Sequence, residues 1–210
     1  MVNLTMLKKL TLSLALLLFL PQVAVAARPT PPPPAPNSVC IDAGHGGSDP
    51  GTSNQGLKES DVNLQVANLL KTRLEAANYT VYMTRTTDVA LSNADRYNYC
   101  NAQNTSILLS IHHNGSTDTT VDYSQGLYMK KTDVALAQAV VNSVSSSLGT
   151  PNKGLYRFAS GVLLKANMPA AISEGFFLTN NNEYTLITAA NRLDQEADAL
   201  FSAIQGYFGN

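Results

Sequence analysis

The chain has 210 residues, of which 44% are hydrophobic, so it is long enough for one domain with a substantial core but not for two. The 14 basic residues are balanced by 15 acidic ones, which gives a net charge of −1 at pH 7. Because the sequence has no basic stripe that could follow a phosphate backbone, nucleic acid is not an expected partner.

The first 26 residues have the layout of a secretory signal peptide. Lys8 and Lys9 precede an apolar run at residues 10–20, and a small-residue triplet follows at residues 24–26. The run is shorter than the roughly 20 residues that cross a bilayer, and Pro21 ends it. We therefore predict cleavage after Ala26, with no stable membrane anchor afterwards.

Residues 27–37 are predicted to be a proline-rich linker, since the segment RPTPPPPAP lacks most backbone donors and favours an extended polyproline helix. Residues 38–210 are predicted to form a single domain. Apolar β-branched runs alternate there with amphipathic segments, which is typical of an α/β fold. The patterns predict strands at 39–42, 80–84, 107–112, 126–129, 161–164 and 170–174, and helices at 60–77, 90–101, 133–148 and 192–208.

Cys40 and Cys100 are the two cysteines of the chain. In an oxidising compartment they could form a disulfide between the first strand and the second helix. They could equally be two small buried apolar residues, and their separation argues against a shared metal.

Three segments contain candidate metal ligands. His45 lies between glycines after the first strand, Glu59 comes at the start of the first helix, and a buried strand ends in His112 and His113. Two histidines and a carboxylate, with a fourth position left for water, form the usual ligand set of a hydrolytic zinc site. Side chains alternate across a strand, so only one of His112 and His113 can join such a site. Taken singly, each histidine could be structural, and Glu59 could simply favour the helix dipole.

Glu174 is the candidate general base. It ends the apolar strand at 170–174, where an ionised carboxylate is costly unless a cation lies nearby. The alternative is a structural glutamate in a salt bridge.

Five ordered motifs resemble the catalytic domain of the zinc-dependent N-acetylmuramoyl-L-alanine amidases. They are IDAGHGGSDPG at 41–51, GLKESDVNL at 56–64, TRTTD at 84–88, LLSIHHN at 108–114 and MPAAISEGFFLTN at 168–180. The resemblance implies one zinc ion held by His45, Glu59 and His112, with Glu174 as catalytic carboxylate. It also implies a twisted, mostly parallel six-stranded sheet flanked by helices. The implied substrate is the amide between N-acetylmuramic acid and L-alanine in peptidoglycan, which would place the protein in a secreted or periplasmic location at the cell wall.

The sequence departs from this family at His113, where alanine is more common. We expect a packing or surface role for it, and the alternatives are a contact with substrate or a hydrogen bond that supports a metal ligand. Some members insert a regulatory helix that covers the zinc. Here the strand at 126–129 runs directly into the next helix, so we expect an open site. We expect a monomer, and the resemblance leaves a protein activator or targeting partner open.

Other motif residues are given more modest roles. Asn114 and Lys165 are candidates for contacts with the stem peptide. Arg85 and Arg96 are expected to hold loops through salt bridges, and Asn180 with Glu183 is expected to form a helix capping box.

Two alternative functions remain open at this point. A zinc peptidase or deacetylase could use the same ligands on a different amide. A non-catalytic peptidoglycan-binding module should have lost a ligand or the base, whereas all four positions are filled here.

Overall fold

The computed structural model describes residues 32–209 of the chain. Its main element is a six-stranded sheet in the order β4-β1-β5-β8-β6-β7. Strands β4, β1, β5 and β8 are parallel neighbours, while β6 pairs antiparallel with β8 and parallel with β7. The prediction of an α/β fold with a mostly parallel six-stranded sheet is confirmed.

The strands of this sheet are β1 (Ala35–Ala43), β4 (Thr80–Met83), β5 (Thr105–Asn114), β6 (Ser124–Tyr128), β7 (Asn152–Arg157) and β8 (Ala170–Phe177), and a small hairpin is formed by β2 (Ser53–Asn54) and β3 (Leu57–Lys58). The helices are α1 (Glu59–Ala76), α2 (Asn93–Gln103), α3 (Val134–Leu148), α4 (Gly161–Lys165), α5 (Asn181–Ala189) and α6 (Arg192–Phe208).

The two faces of the sheet bury different sets of side chains, because alternate residues of a strand point to opposite sides. Val39, Ile41 and Ala43 of β1 belong to the larger core with α1, α3 and α6. Cys40, between them in sequence, belongs to a smaller core that includes Leu163 of α4. The larger core fixes the sheet, while the smaller one leaves room for a groove on its face.

Helix α1 follows the apolar periodicity of its sequence. Val62, Val66, Leu70 and Leu74 recur every fourth residue and are all buried. This spacing places them on one face of a 3.6-residue helix, which packs on the sheet and on α6. The first turn of α1, which begins with Glu59, is thereby held at the edge of the groove.

Two predicted elements are corrected by the structure. Residues 161–164 were predicted as a strand but lie in helix α4, which Ser160 caps by accepting a hydrogen bond from the backbone N–H of Val162. A short apolar run cannot by itself distinguish a strand from a buried helical turn. The sixth strand is instead β7, whose sequence NKGLYR lacks an apolar alternation because it forms an edge of the sheet.

The N-terminal predictions fall largely outside the described residues. The signal peptide and the first part of the linker lie there, whereas residues 35–37, at the end of the predicted linker, are paired in β1. Within residues 32–209 no helix is both long enough and apolar enough to span a bilayer.

Of the two possibilities for the cysteines, a disulfide or two buried apolar residues, the structure has the disulfide. Cys40 of β1 and Cys100 of α2 are bonded, with their Cα atoms 5.7 Å apart. Both residues are fully buried in the smaller core, so the bond fixes α2 against the strand that leads to His45.

Candidate active site

The turn after β1 presents His45 in a backbone conformation that non-glycine residues seldom adopt, with φ of 57°. Its neighbour Gly44 allows a close approach, since a Cβ there would lie 2.2 Å from Nε2 of His112. Only glycine at position 44 therefore lets the two histidine rings come together, and their centroids are 4.8 Å apart.

Two buried arginines hold this turn, as predicted. Arg85 donates from Nε to the carbonyl of Ala43 at 2.8 Å and from Nη2 to that of Gly44 at 2.9 Å. Arg96 donates from Nη2 to the carbonyl of His45 at 2.8 Å. Only Arg96 also forms a salt bridge, at 2.8 Å to Asp42, so Arg85 acts through backbone carbonyls instead.

Glu59 begins α1 and is almost completely buried between the two histidines. Its Oε2 accepts a hydrogen bond from the backbone N–H of Thr52 at 2.8 Å, which fixes the carboxylate plane. Burial opposes its ionisation, but hydrogen bonds from His112 and His45 outweigh that effect and hold the pKa of Glu59 well below its usual range. The carboxylate is therefore ionised and aimed between the histidines.

The predicted ligand residues meet in one cluster, and each offers a ligand atom within 4.8 Å of the others. Oε1 of Glu59 lies 3.2 Å from Nε2 of His45 and 3.0 Å from Nδ1 of His112. Tetrahedral zinc with bonds of 2.0–2.2 Å separates its ligands by about 3.3 Å. The donor types and the two distances from Glu59 thus fit one zinc ion.

Asp49 orients His45 from outside the cluster. His45 Nδ1 is 2.8 Å from Oδ2 of Asp49, which leaves Nε2 directed at Glu59. A carboxylate on the distal nitrogen is the usual arrangement around a metal-bound histidine. The hydrogen bond to Glu59 raises the pKa of His45 to about 9 although burial opposes the shift, so metal binding here would release a proton.

Glu174 lies next to the cluster on the neighbouring strand. It is in register with His112, and the two side chains therefore share a face of the sheet. Burial raises the pKa of Glu174, while the neighbouring His112 opposes the shift. A carboxylate of increased basicity at this place could accept a proton from water.

The cluster opens into a groove with a volume of about 340 Å³. From His45, His112 and Glu174 it extends over the sheet face to Leu127 of β6 and to Phe158, just beyond β7. The side chains of His45 and His112 keep 25% and 22% of their exposure, so no described segment covers the site. The expectation of an open site agrees with this geometry.

Asn114 and Lys165 do not line this groove. Asn114 ends β5, and its carbonyl accepts a hydrogen bond from Leu178, while Lys165 is exposed at the end of α4. Their proposed contacts with a stem peptide stay predictions.

His113 points away from the groove, as strand alternation predicted. Its side chain is completely buried on the opposite face, 2.8 Å from Glu196. Burial disfavours the imidazolium, but the charge of Glu196 outweighs this effect and raises the pKa of His113. The expected packing role is thus performed by a buried charged pair.

The capping box at the start of α5 is half correct. Asn180 Oδ1 accepts hydrogen bonds from the backbone N–H groups of Asn182 and Glu183. The Glu183 side chain does not return to the cap, because it forms a buried salt bridge with Arg192.

Sequence reasoning missed Asp49, Asn63 and Glu196 as neighbours of the site. Asp49 lies within the motif that carries His45, so a second carboxylate there was a usable signal. Asn63 lies one turn after Glu59 in the same motif, so its place beside Glu59 was a usable helical signal, whereas Glu196 could be found only from the fold.

Two histidines and a buried carboxylate form a group that could hold a metal ion, and a groove and a second glutamate lie beside it, an arrangement that suits a hydrolase. Comparison with known proteins identifies the family. Residues 39–206 match the model of the N-acetylmuramoyl-L-alanine amidase family. The chain belongs to this family of hydrolases.

Individual relatives agree with the assignment. The chain is 28% identical to the N-acetylmuramoyl-L-alanine amidase LytC of Bacillus subtilis, an alignment that covers 81% of this chain and 35% of LytC. It is 30% identical to the sporulation-specific amidase of the same species, over 67% of this chain and 56% of that protein. The chain thus spans about a third to a half of the length of these two relatives.

The fold is also shared with solved amidases. An N-acetylmuramoyl-L-alanine amidase from Clostridium difficile 630 superposes with a TM-score of 0.77 and 32% identity, covering 82% of this chain and 96% of that one. AmiC2 of Nostoc punctiforme gives a TM-score of 0.78 at 27% identity, over 82% and 97% of the two chains.

Proposed function

We propose that this protein hydrolyses the amide between N-acetylmuramic acid and L-alanine in peptidoglycan, with one zinc ion held by His45, Glu59 and His112 and with Glu174 as general base and acid. The observation that supports it is the cluster of three donor atoms, all within 4.8 Å of one another, beside a glutamate on the same sheet face. Family membership supports the choice of bond.

Zinc, when bound, supplies Lewis acidity that makes water acidic near pH 7 and stabilises negative charge on a carbonyl oxygen. Glu174 accepts the proton of the attacking water and then donates it to the departing alanine nitrogen. Its burial makes the carboxylate more basic, which suits both transfers. Asp49 keeps His45 in one tautomer and orientation throughout.

The lining of the groove suits a substrate that lies along the sheet face. Polar groups cluster at the end formed by His45, His112 and Glu174, while Leu127 and Phe158 offer apolar contacts further along. Such a division allows the reacting amide to be bound at one end and the rest of the substrate to be oriented along the groove.

We propose that the mature chain acts outside the cytoplasm at the cell wall. The signal-peptide pattern of residues 1–26 supports this location, and so does a relative described as a probable cell wall amidase, LytH of Staphylococcus saprophyticus. A partner protein fits the same proposal, because the related CwlD amidase of Clostridioides difficile was solved in complex with the GerS lipoprotein.

The proposal is tested by mass spectrometry of purified peptidoglycan digested with the mature chain. We expect intact stem peptides with a free L-alanine amine, lost on treatment with a chelator and restored by added zinc. Glu174→Ala should release none, while Glu75→Ala, an exposed glutamate of α1, should match the unmodified protein. Cleavage inside the stem peptide would instead identify a peptidase, and release of acetate a deacetylase.

A further inference from the structure

A buried histidine–glutamate pair lies directly behind the candidate metal cluster. His113 and Glu196 have completely buried side chains, and Nε2 of His113 is 2.8 Å from Oε2 of Glu196. His113 follows the ligand His112 in β5 but points to the opposite face of the sheet. The pair is therefore adjacent to the site without contacting the groove.

Hydrogen bonds of Asn63 connect the pair to the candidate ligand Glu59. Asn63, one turn after Glu59 in α1, donates from Nδ2 to the carbonyl of Gly44 at 3.1 Å. Because a carbonyl can only accept, this contact fixes the amide orientation, and Oδ1 of Asn63 must accept from Nδ1 of His113 at 2.7 Å. Asn63 Nδ2 also lies 3.4 Å from Oε1 of Glu59.

The backbone of β5 makes a parallel contact with the same carboxylate oxygen. The N–H of His113 donates to Oε1 of Glu59 at 3.1 Å. The backbone of His113 thus contacts Glu59 directly, and its side chain is linked to Glu59 through Asn63.

Glu196 also contacts the strand that carries the candidate base. Gly175 follows Glu174, and a Cβ at Gly175 would lie 2.2 Å from Oε1 of Glu196. The carboxylate consequently packs against the β8 backbone, so one network touches the His45 turn, Glu59 and the Glu174 strand.

Stability alone does not explain such a pair. Burying an imidazole and a carboxyl group costs desolvation energy, and an apolar pair of similar volume is often as stable or more so. Another buried pair, Glu183 of α5 with Arg192 at the start of α6, makes no hydrogen bond to the candidate ligands or to Glu174 among the described residues. It provides a matched comparison for the effect of burial alone.

We propose that Glu196, His113 and Asn63 are positioning residues that hold Oε1 of Glu59 in the direction needed to bind the metal. The inference rests on the proposed zinc site. Glu196 orients His113, His113 orients Asn63, and Asn63 ties Glu59 to the turn that carries His45. Removing the side-chain network leaves the backbone hydrogen bonds of Thr52 and His113 to Glu59, but it removes the Asn63 contacts that tie the carboxylate to the His45 turn.

The test measures the zinc affinity of metal-free protein by competition with a chromophoric chelator. In the double variant His113→Leu/Glu196→Leu, both charges are replaced by apolar side chains, so the fold is retained while the link to Asn63 is lost. We expect its zinc Kd to rise roughly 10–100-fold, the usual effect of removing groups that orient metal ligands. Asn63→Ser, which leaves the charged pair intact, should raise the Kd in the same direction.

The control is Glu183→Leu/Arg192→Leu, which removes the buried pair between α5 and the start of α6. We expect it to alter the thermal unfolding midpoint without changing the zinc Kd. Folded His113→Leu/Glu196→Leu and Asn63→Ser proteins with unchanged zinc Kd would overturn the positioning role. Failure of the unmodified protein to bind zinc would overturn the proposed function itself, so the two failures are distinguishable.

Discussion

Asp42 and Arg96 show how single residues hold the candidate site in place. Asp42 is completely buried, and it accepts hydrogen bonds from Thr84, Ser110 and Arg96. Burial opposes its ionisation, but the Arg96 guanidinium and these hydrogen bonds hold the pKa of Asp42 below its usual value. Since Arg96 also binds the carbonyls of Ala43 and His45, the pair connects the sheet to the turn that carries His45.

Arg96→Leu should lower the free energy of unfolding by about 3–5 kcal/mol at pH 7, because it leaves an uncompensated buried charge. Urea unfolding measures this loss. The stabilisation from Asp42 is present above its unfolded pKa of about 4 and is lost as pH falls through the lower folded pKa. In the variant the folded pKa rises, so the deficit should be smaller at pH 3 than at pH 7. A deficit that does not change with pH would contradict the role given to Asp42.

At the scale of elements, the site is assembled where β1, β5 and β8 lie side by side. Their parallel register brings His112 opposite Glu174, and the turn after β1 returns His45 to the same end. Helix α2 lines this site with Asn93 and Arg96, and the disulfide attaches it to β1. The strand that leads to His45 is thus fixed to α2 covalently as well as by packing.

Cys40→Ala/Cys100→Ala should lower the free energy of unfolding by about 2–4 kcal/mol, because the bond closes a loop with a sequence separation of 60 residues. Chemical unfolding with and without a reductant measures this effect. The reductant should destabilise the unmodified protein and leave the double variant unchanged. An unmodified protein that does not respond to complete reduction would contradict the stabilising role.

The elements differ in how well the sequence could predict them. Buried central strands such as β5 and β8 have long apolar runs, and α1 has a regular helical spacing, so each was predicted close to its bounds. Helix α4 is a single capped turn whose apolar residues resemble a short strand, and β7 is an edge strand without alternation. Local pattern is weakest where an element is short or only one side is buried.

At the scale of the whole molecule, the two faces of the sheet have different roles: one is covered by the larger core and the other carries the groove. Helices α1, α3 and α6 cover one face with the larger core, whereas α2 and α4 leave a groove on the other. The ligand candidates could be predicted because each lies in a compact motif. The network of Asn63, His113 and Glu196 could not, because residues 50 and 83 positions apart meet only after folding.

The most direct test of the central claim is the zinc stoichiometry of purified Glu174→Gln, measured with turnover on the same preparation. The account separates metal binding, by His45, Glu59 and His112, from proton transfer by Glu174. It predicts one zinc per chain and no release of stem peptides from peptidoglycan, whereas His45→Ala should lose both zinc and turnover. A Glu174→Gln protein that lost its zinc, or that kept normal turnover, would contradict the roles assigned to these residues.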